Sequence, residues 1–159
     1  MERLLKLLEQ NGRLSAEDLA AMLDSTPAEV ARQMDEAQRL GYIRGYRALV
    51  DWESTSTNHV EAVIELRVSP KKNHGFDEIA STIAAFEEVK TLLLMSGGYD
   101  LQLIITGKSF QEIALFVAKR LSPLDDVLST ATHFVLRTYK KEGQVFAGEE
   151  IDERECTTL

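Results

Sequence analysis

SAEDLAAMLDSTPAEVARQMDEAQRLG, running from Ser15 to Gly41, holds two helices and the short break between them. Ser15 is a good N-cap with Asp18 three residues on, ahead of the apolar set Leu19, Ala20, Met22 and Leu23. Asp24-Ser25 then interrupts the pattern. The second start is sharper. Thr26 can accept a hydrogen bond from the Glu29 amide while Glu29 reaches back to the Thr26 amide. Pro27 falls at the first helical position, where its missing N–H costs nothing. Val30, Met34, Ala37 and Leu40 follow at spacings of four, three and three and predict a buried stripe, which Gly41 ends.

Upstream, Leu4, Leu5, Leu7 and Leu8 lie on one broad helical face, closed by Asn11-Gly12. Three helices therefore fill the first forty residues, the last two joined by a turn of about three residues. Downstream the chemistry changes. Tyr42 to Asp51 reads as extended, and Ser54 to Asn58 as a polar linker. His59 to Val68 alternates, with Val60, Ala62, Ile64, Leu66 and Val68 on one face. Phe76, Ile79, Ile83 and Phe86 mark a helix over 76–86. Val89 to Met95 and Tyr99 to Thr106 are strands joined by Ser96-Gly97-Gly98, a hairpin-type turn. Ser109, with Glu112 as capping-box partner, opens a helix that buries Ile113, Phe116, Val117 and Leu121 and ends at Pro123. Val127 to Tyr139 is the last strand. The order β-α-β-β-α-β is the split ferredoxin-like pattern, so the chain is expected to be α+β.

A hydrophobic fraction of 44% and a charged fraction of 28% predict a packed core. No apolar run approaches the roughly 18 residues of a membrane span, and Met1-Glu2-Arg3 opens no signal peptide. The single cysteine, Cys156, has no internal disulfide partner, and a cytoplasmic location is expected. Net charge is −8, divided as −1 over residues 1–50 and −7 over 51–159, so even the N-terminal third has no positive excess to attract nucleic acid. His59, His74 and His133 lack partners at metal-ligand spacing, and neither metal nor cofactor is expected. Asp125-Asp126 and Glu87-Glu88 read as solvated surface pairs. There is no phosphate loop or nucleophile elbow, and no enzyme is expected.

Three motifs in order carry a family resemblance. Leu14-Ser15…Leu19-Ala20…Ser25-Thr26-Pro27…Val30 is similar to a helix-turn-helix of the Lrp/AsnC regulators. Leu40-Gly41-Tyr42-Ile43-Arg44-Gly45-Tyr46-Arg47-Ala48 resembles the junction that follows it, and Ser96-Gly97-Gly98-Tyr99-Asp100-Leu101 resembles the family's ligand loop. The resemblance covers roughly residues 1–145. It implies a winged-type, three-helix DNA-binding domain with an extended linker strand over 1–51. A ferredoxin-like effector-binding and oligomerisation domain over 59–145 and an acidic tail over 146–159 complete the chain. It also implies a homodimer, in the family often assembled further to octamers, that binds double-stranded DNA and senses an amino acid or related metabolite between subunits.

In a helix-turn-helix the second helix enters the major groove. With Val30 and Met34 buried, its outward positions are Ala28, Arg32 and Asp35, flanked by Ala31 and Arg39. Arg32 suits guanine or a phosphate. Ser25 and Thr26 stand at the helix N-terminus, which favours a phosphate. Arg39, Arg44 and Arg47 complete the DNA-facing set. Asp35 and Glu36 depart from the family, which usually carries Lys or Arg there; two acids repel the backbone that supplies most of the affinity. For the effector, Gly97 and Gly98 are expected to turn amides toward a carboxylate in a backbone nest. Ser96 and Tyr99 belong to the same loop, Asp100 suits an ammonium group, and Thr130 and Thr132 offer hydroxyls from the last strand. Two other readings stay open. One is a DNA-incompetent relative that oligomerises with another regulator. The other is a decarboxylase of related architecture, for which the loop lacks a His/Arg cluster.

Overall fold

Three helices build the first unit: α1 (Glu2–Gln10), α2 (Ala16–Leu23) and α3 (Pro27–Arg39). The computed structural model describes residues 1–69 and 75–146, and the chain divides between Val50 and Asp51 into two compact units. The acidic tail from Glu149 onward, with Cys156, and His74 lie outside the described residues.

Leu4, Leu8, Leu19, Ala20 and Val30 form the core of the first unit, with Leu7, Leu14, Met34 and Ile43 packed against them. Each fully buried Leu or Val contributes about 1.5–3 kcal/mol, whereas an exposed helical ion pair contributes about 0.3–0.5 kcal/mol. The apolar stripe, not the charge pairs along α3, therefore fixes how that helix packs. Ser15 and Asp18 form a full capping box. Asp24 turns the chain through a left-handed conformation (φ 51°) into the three-residue break before Pro27. At the far end of α3, Gly41 (φ 75°) closes a Schellman motif, its N–H donating to Gln38 O and that of Tyr42 to Ala37 O.

Three expectations for this unit change. Thr26 accepts from the Glu29 amide at 3.3 Å, but Glu29 does not reach back, because its carboxylate is held by Arg32 and Gln33. Leu40 is 46% exposed rather than buried, standing at the C-cap of α3 beyond Ala37, the last buried residue of the stripe. The linker strand anticipated over 42–51 is absent: residues 43–50 make no ladder with any described strand. Extended backbone becomes a strand only when a second strand takes its hydrogen bonds.

The second unit is a four-stranded antiparallel sheet in the order β2-β3-β1-β4, with β1 Val60–Val68, β2 Val89–Leu94, β3 Leu101–Gly107 and β4 Val127–Phe134. Helices α4 (Asp77–Ala84) and α5 (Phe110–Phe116) supply the rest of the core. Ala62, Ile64, Leu66 and Val68 of β1 join Leu101, Leu103 and Ile105 of β3 in packing against Ile79 and Ile83 of α4 and Ile113, Phe116 and Val117 around α5. The alternate residues Glu61, Val63, Glu65 and Arg67, with Gln102, Ile104 and Thr106, lie on the opposite face, as the two-residue period of a strand requires.

The elements after residue 109 run differently from expectation. Beyond Phe116 the helix loosens into a π-helical turn over Val117–Leu121, with the Ser122 N–H bonded to Val117 O at 2.8 Å. Phe116, Val117 and Leu121 are buried along this stretch. β4 ends at Phe134, not Tyr139. A two-residue hairpin follows, β5 (Lys140–Lys141) against β6 (Gln144–Val145), turning through Glu142 (φ 47°) and Gly143 (φ 81°). Positive φ at both positions matches the twist of the flanking strands. Residues 95–100 also differ from the anticipated tight turn. They form a six-residue loop closed by the Met95 N–H on Asp100 O at 2.8 Å, and neither Gly97 nor Gly98 has a positive φ.

Candidate functional sites

The face of α3 opposite its buried stripe carries Ala28, Ala31, Arg32, Asp35 and Arg39, all exposed. Thr26 is exposed at the helix start and Ser25 half-buried beside it. Arg44 lies against the helix end, where a Cβ on Gly41 would meet its Cζ at 3.1 Å, and Arg47 is exposed. Ala28, Arg32 and Arg39 thus share one helix, Ser25 and Thr26 stand just before its first turn, and Arg44 and Arg47 lie in the segment that leaves it.

The charges on that face are partly cancelled within the helix. Arg32 forks onto Glu29, Nε to Oε2 at 2.9 Å and Nη2 to Oε1 at 2.7 Å, and lies 3.5 Å from Glu36. Arg39 pairs with the other oxygen of Glu36 at 3.7 Å. The Arg32 hydrogen bonds, helped by Gln33, pull the Glu29 carboxyl down from 4.5 to about 2, and the same contact raises Arg32. Glu29 was assigned only a capping role from the sequence, yet it is the principal partner of Arg32. Its spacing of three residues from Arg32 was the available signal.

In the second unit the loop Ser96–Asp100 joins β2 to β3. The Asp100 N–H donates to Leu66 O at 2.9 Å, and its Oδ2 accepts from the Val68 N–H at 2.9 Å. That bond has a clear cause. The register of β1 against β4 shifts between Arg67 and Val68, and such a bulge leaves an N–H in need of an acceptor. Oδ1 of Asp100 has no hydrogen bond among the described residues. The Tyr99 hydroxyl accepts from Gln102 Nε2 at 3.2 Å. The backbone nest anticipated at Gly97-Gly98 is not formed, because alternating right- and left-handed residues are needed and no residue of the loop has positive φ.

Thr130 and Thr132 are not gathered with the loop in one chain. They pair directly with Leu66 and Ile64, so they lie on the helix-covered face of the edge strand β4, with β1 between them and β3. Two strand spacings, about 10 Å, separate β4 from β3. A residue that sequence reading passed over does reach the loop: Arg67, whose Nε–H donates to Gly98 O at 2.9 Å across 31 positions. Periodicity marked Arg67 only as a position on the polar face of β1.

No group of three or more metal-ligating side chains occurs among the described residues, nor does any of their helices have the length and apolarity to cross a membrane.

Residues 61–145 match the Lrp/AsnC ligand binding domain, and residues 2–44 match a winged helix-turn-helix DNA-binding domain. An HTH-type transcriptional regulator of Bacillus subtilis, YugG, is 40% identical over 95% of this chain and 92% of its own length. The leucine-responsive regulatory protein of Haemophilus influenzae is 27% identical over 87% of this chain and 83% of its own. Among solved structures, a transcriptional regulator of Neisseria meningitidis in complex with L-Met superposes with a TM-score of 0.70 at 24% identity, covering 87% of this chain and 88% of that one. Both halves of the chain match in the order the fold requires, and the chain belongs to the Lrp/AsnC family of DNA-binding transcriptional regulators with a ligand-binding domain.

Proposed function

We propose that this regulator reads DNA through α3 and responds to an amino acid or a related small metabolite held at the Ser96–Asp100 loop. The observation that carries the DNA half is the two-sided character of α3. Val30 and Ala37 are buried, while Ala28, Arg32, Asp35 and Arg39 are exposed on the side a groove would meet. Ser25 and Thr26 offer the helix N-terminus to a phosphate, and Arg44 and Arg47 add backbone contacts. The effector half draws on Asp100, whose Oδ1 has no hydrogen bond among the described residues and suits an ammonium group, on the open loop of Ser96, Gly97, Gly98 and Tyr99, and on kinship. One relative is named leucine-responsive and one structural neighbour was solved with L-Met. Thr130 and Thr132 enter such a site from a second subunit, consistent with a homodimer whose ligands sit between chains, the unit from which octamers of the family are built. The protein acts in the cytoplasm with the DNA it regulates. A bound metabolite favours one assembly or spacing of reading heads and so changes which half-sites are engaged together.

The test is an anisotropy titration of labelled DNA from upstream of the protein's own gene, at low and high salt, beside Arg32→Ala. Saturable binding weakened by salt and by the substitution supports the reading, and no binding at low salt removes it.

A second reading has its own observation. On α3 the acids Glu29, Asp35 and Glu36 outnumber Arg32 and Arg39, and both arginines are already paired. A relative that has lost DNA binding and acts by assembling with another regulator fits that balance. Recovery of a second regulator in a pull-down, together with no DNA shift at low salt, would favour it.

A further inference from the structure

Arg67 and Asp100 tie the same loop to the same end of β1 by opposite routes. The Arg67 Nε–H reaches the loop carbonyl of Gly98, while the Asp100 carboxylate reaches back to the Val68 amide. Neither charge is spent on the other, and Arg67 makes no ion pair among the described residues. It is exposed. A guanidinium has five N–H donors, of which the Gly98 bond uses one, so the Nη1/Nη2 end stays available as a fork for a planar anion. The bond to Gly98 also fixes the planar group in orientation, lowering the entropy lost when a ligand is gripped.

The space beside this group is open. A Cβ built on Gly97 or on Gly98 would meet nothing within 4 Å. Because no residue of the loop has positive φ, no αR–αL nest of amides is present to hold an anion. Among the described residues, Arg67 is the positive charge fastened to the loop by a hydrogen bond.

We infer that Arg67 is the carboxylate-binding group of the effector site, and that the effector is a small acid whose carboxylate docks on its Nη1/Nη2 edge. The inference rests on the proposal that an effector binds at Ser96–Asp100. An α-amino acid adds an ammonium group for the free oxygen of Asp100, whereas a 2-oxo acid uses Arg67 alone.

Calorimetry on the full chain with the proteinogenic L-amino acids and their 2-oxo acids identifies the tightest acid. That acid and its carboxamide are then compared on wild type, Arg67→Met and Arg67→Lys. Arg67→Met is expected to weaken the acid about tenfold or more, the scale of one lost charge-assisted contact, and to leave carboxamide affinity nearly unchanged. Arg67→Lys, which keeps the charge but not the fork, is expected to fall between. A residue that merely straps the loop would weaken acid and carboxamide alike, and that result overturns the inference. So does an acid that binds both variants as tightly as wild type, with the effector site itself left standing. If no amino or 2-oxo acid binds wild type, the effector reading falls and takes Arg67 with it. Should Arg67→Met not fold, judged by circular dichroism, the acid-to-carboxamide ratio on Arg67→Lys decides alone.

Discussion

Arg32 and Glu29 face each other one helical turn apart on the exposed side of α3, joined by two hydrogen bonds of 2.9 and 2.7 Å. The cation best placed to meet DNA is therefore neutralised by its own helix. Glu29→Gln keeps the backbone amide that Thr26 caps but removes the charge, so DNA affinity is expected to rise severalfold. The salt dependence should steepen by about one counterion as Arg32 engages a phosphate. Arg32→Ala is expected to lose about 1–3 kcal/mol if the residue reads a base. An anisotropy series at several salt concentrations checks both. Unchanged affinity in Glu29→Gln would mean that Arg32 does not contact DNA.

The same pair makes a statement about acid stability. Glu29 sits at about 2 in the folded chain against an ordinary value of 4.5, so folding favours its ionised form. Its contribution is complete above 4.5 and is lost as the pH falls from there toward 2. Carbon-detected NMR titration should find Glu29 ionised well below pH 4. The melting difference between wild type and Glu29→Gln should shrink across that window. A midpoint near 4.5 would show that the fork does not persist in solution.

Periodicity located the five helices, the four main strands and their order, because burial on one face imposes a period that survives in a single sequence. What it missed depends on residues far apart or on loss of regularity. The bond from Arg67 to Gly98 spans 31 positions, and no local pattern announces it. The π turn at Val117–Leu121 is a choice between two hydrogen-bond registers that the same apolar residues satisfy. Glu142-Gly143 did carry a signal, glycine in a two-residue loop. The residue before it was neither Asn nor Asp, and the apolar run from Val127 drew one strand on to Tyr139, short of that turn. In the loop, two glycines suggested left-handed backbone that the chain does not use.

Asp100 has two separable roles, one for each carboxylate oxygen. Asp100→Ala leaves the N–H of Val68, a residue only 5% exposed, without its acceptor, at a cost of about 1–3 kcal/mol. Asp100→Asn keeps an oxygen for that N–H and removes only the charge. Chemical denaturation is expected to rank stability as wild type, then Asn close behind, then Ala. The Asn variant should nevertheless bind an amino acid less tightly than wild type while binding the matching 2-oxo acid equally. Equal amino-acid affinity in both proteins would take Asp100 out of the site.

Val63 and Ile104 are cross-strand partners at the middle of the sheet face that no helix of the described residues covers, and Leu93, 45% exposed, stands on the neighbouring strand. Next to Ile104, Ile105 points the other way and is fully buried against the helices. A glutamate at either position therefore asks a different question. Ile105→Glu buries a charge without a partner and is expected to unfold the domain. Ile104→Glu places the charge on the uncovered face, where one chain alone tolerates it. If subunits associate through that face, each interface related by twofold symmetry brings two such charges into an apolar contact. Light scattering should then show Ile104→Glu as a folded chain of reduced assembly mass, with helical content and melting behaviour close to wild type. Retention of the wild-type mass would show that assembly uses another surface. The exposed Tyr42, Tyr46, Leu49 and Val50 of the segment after α3 would be the next residues to change.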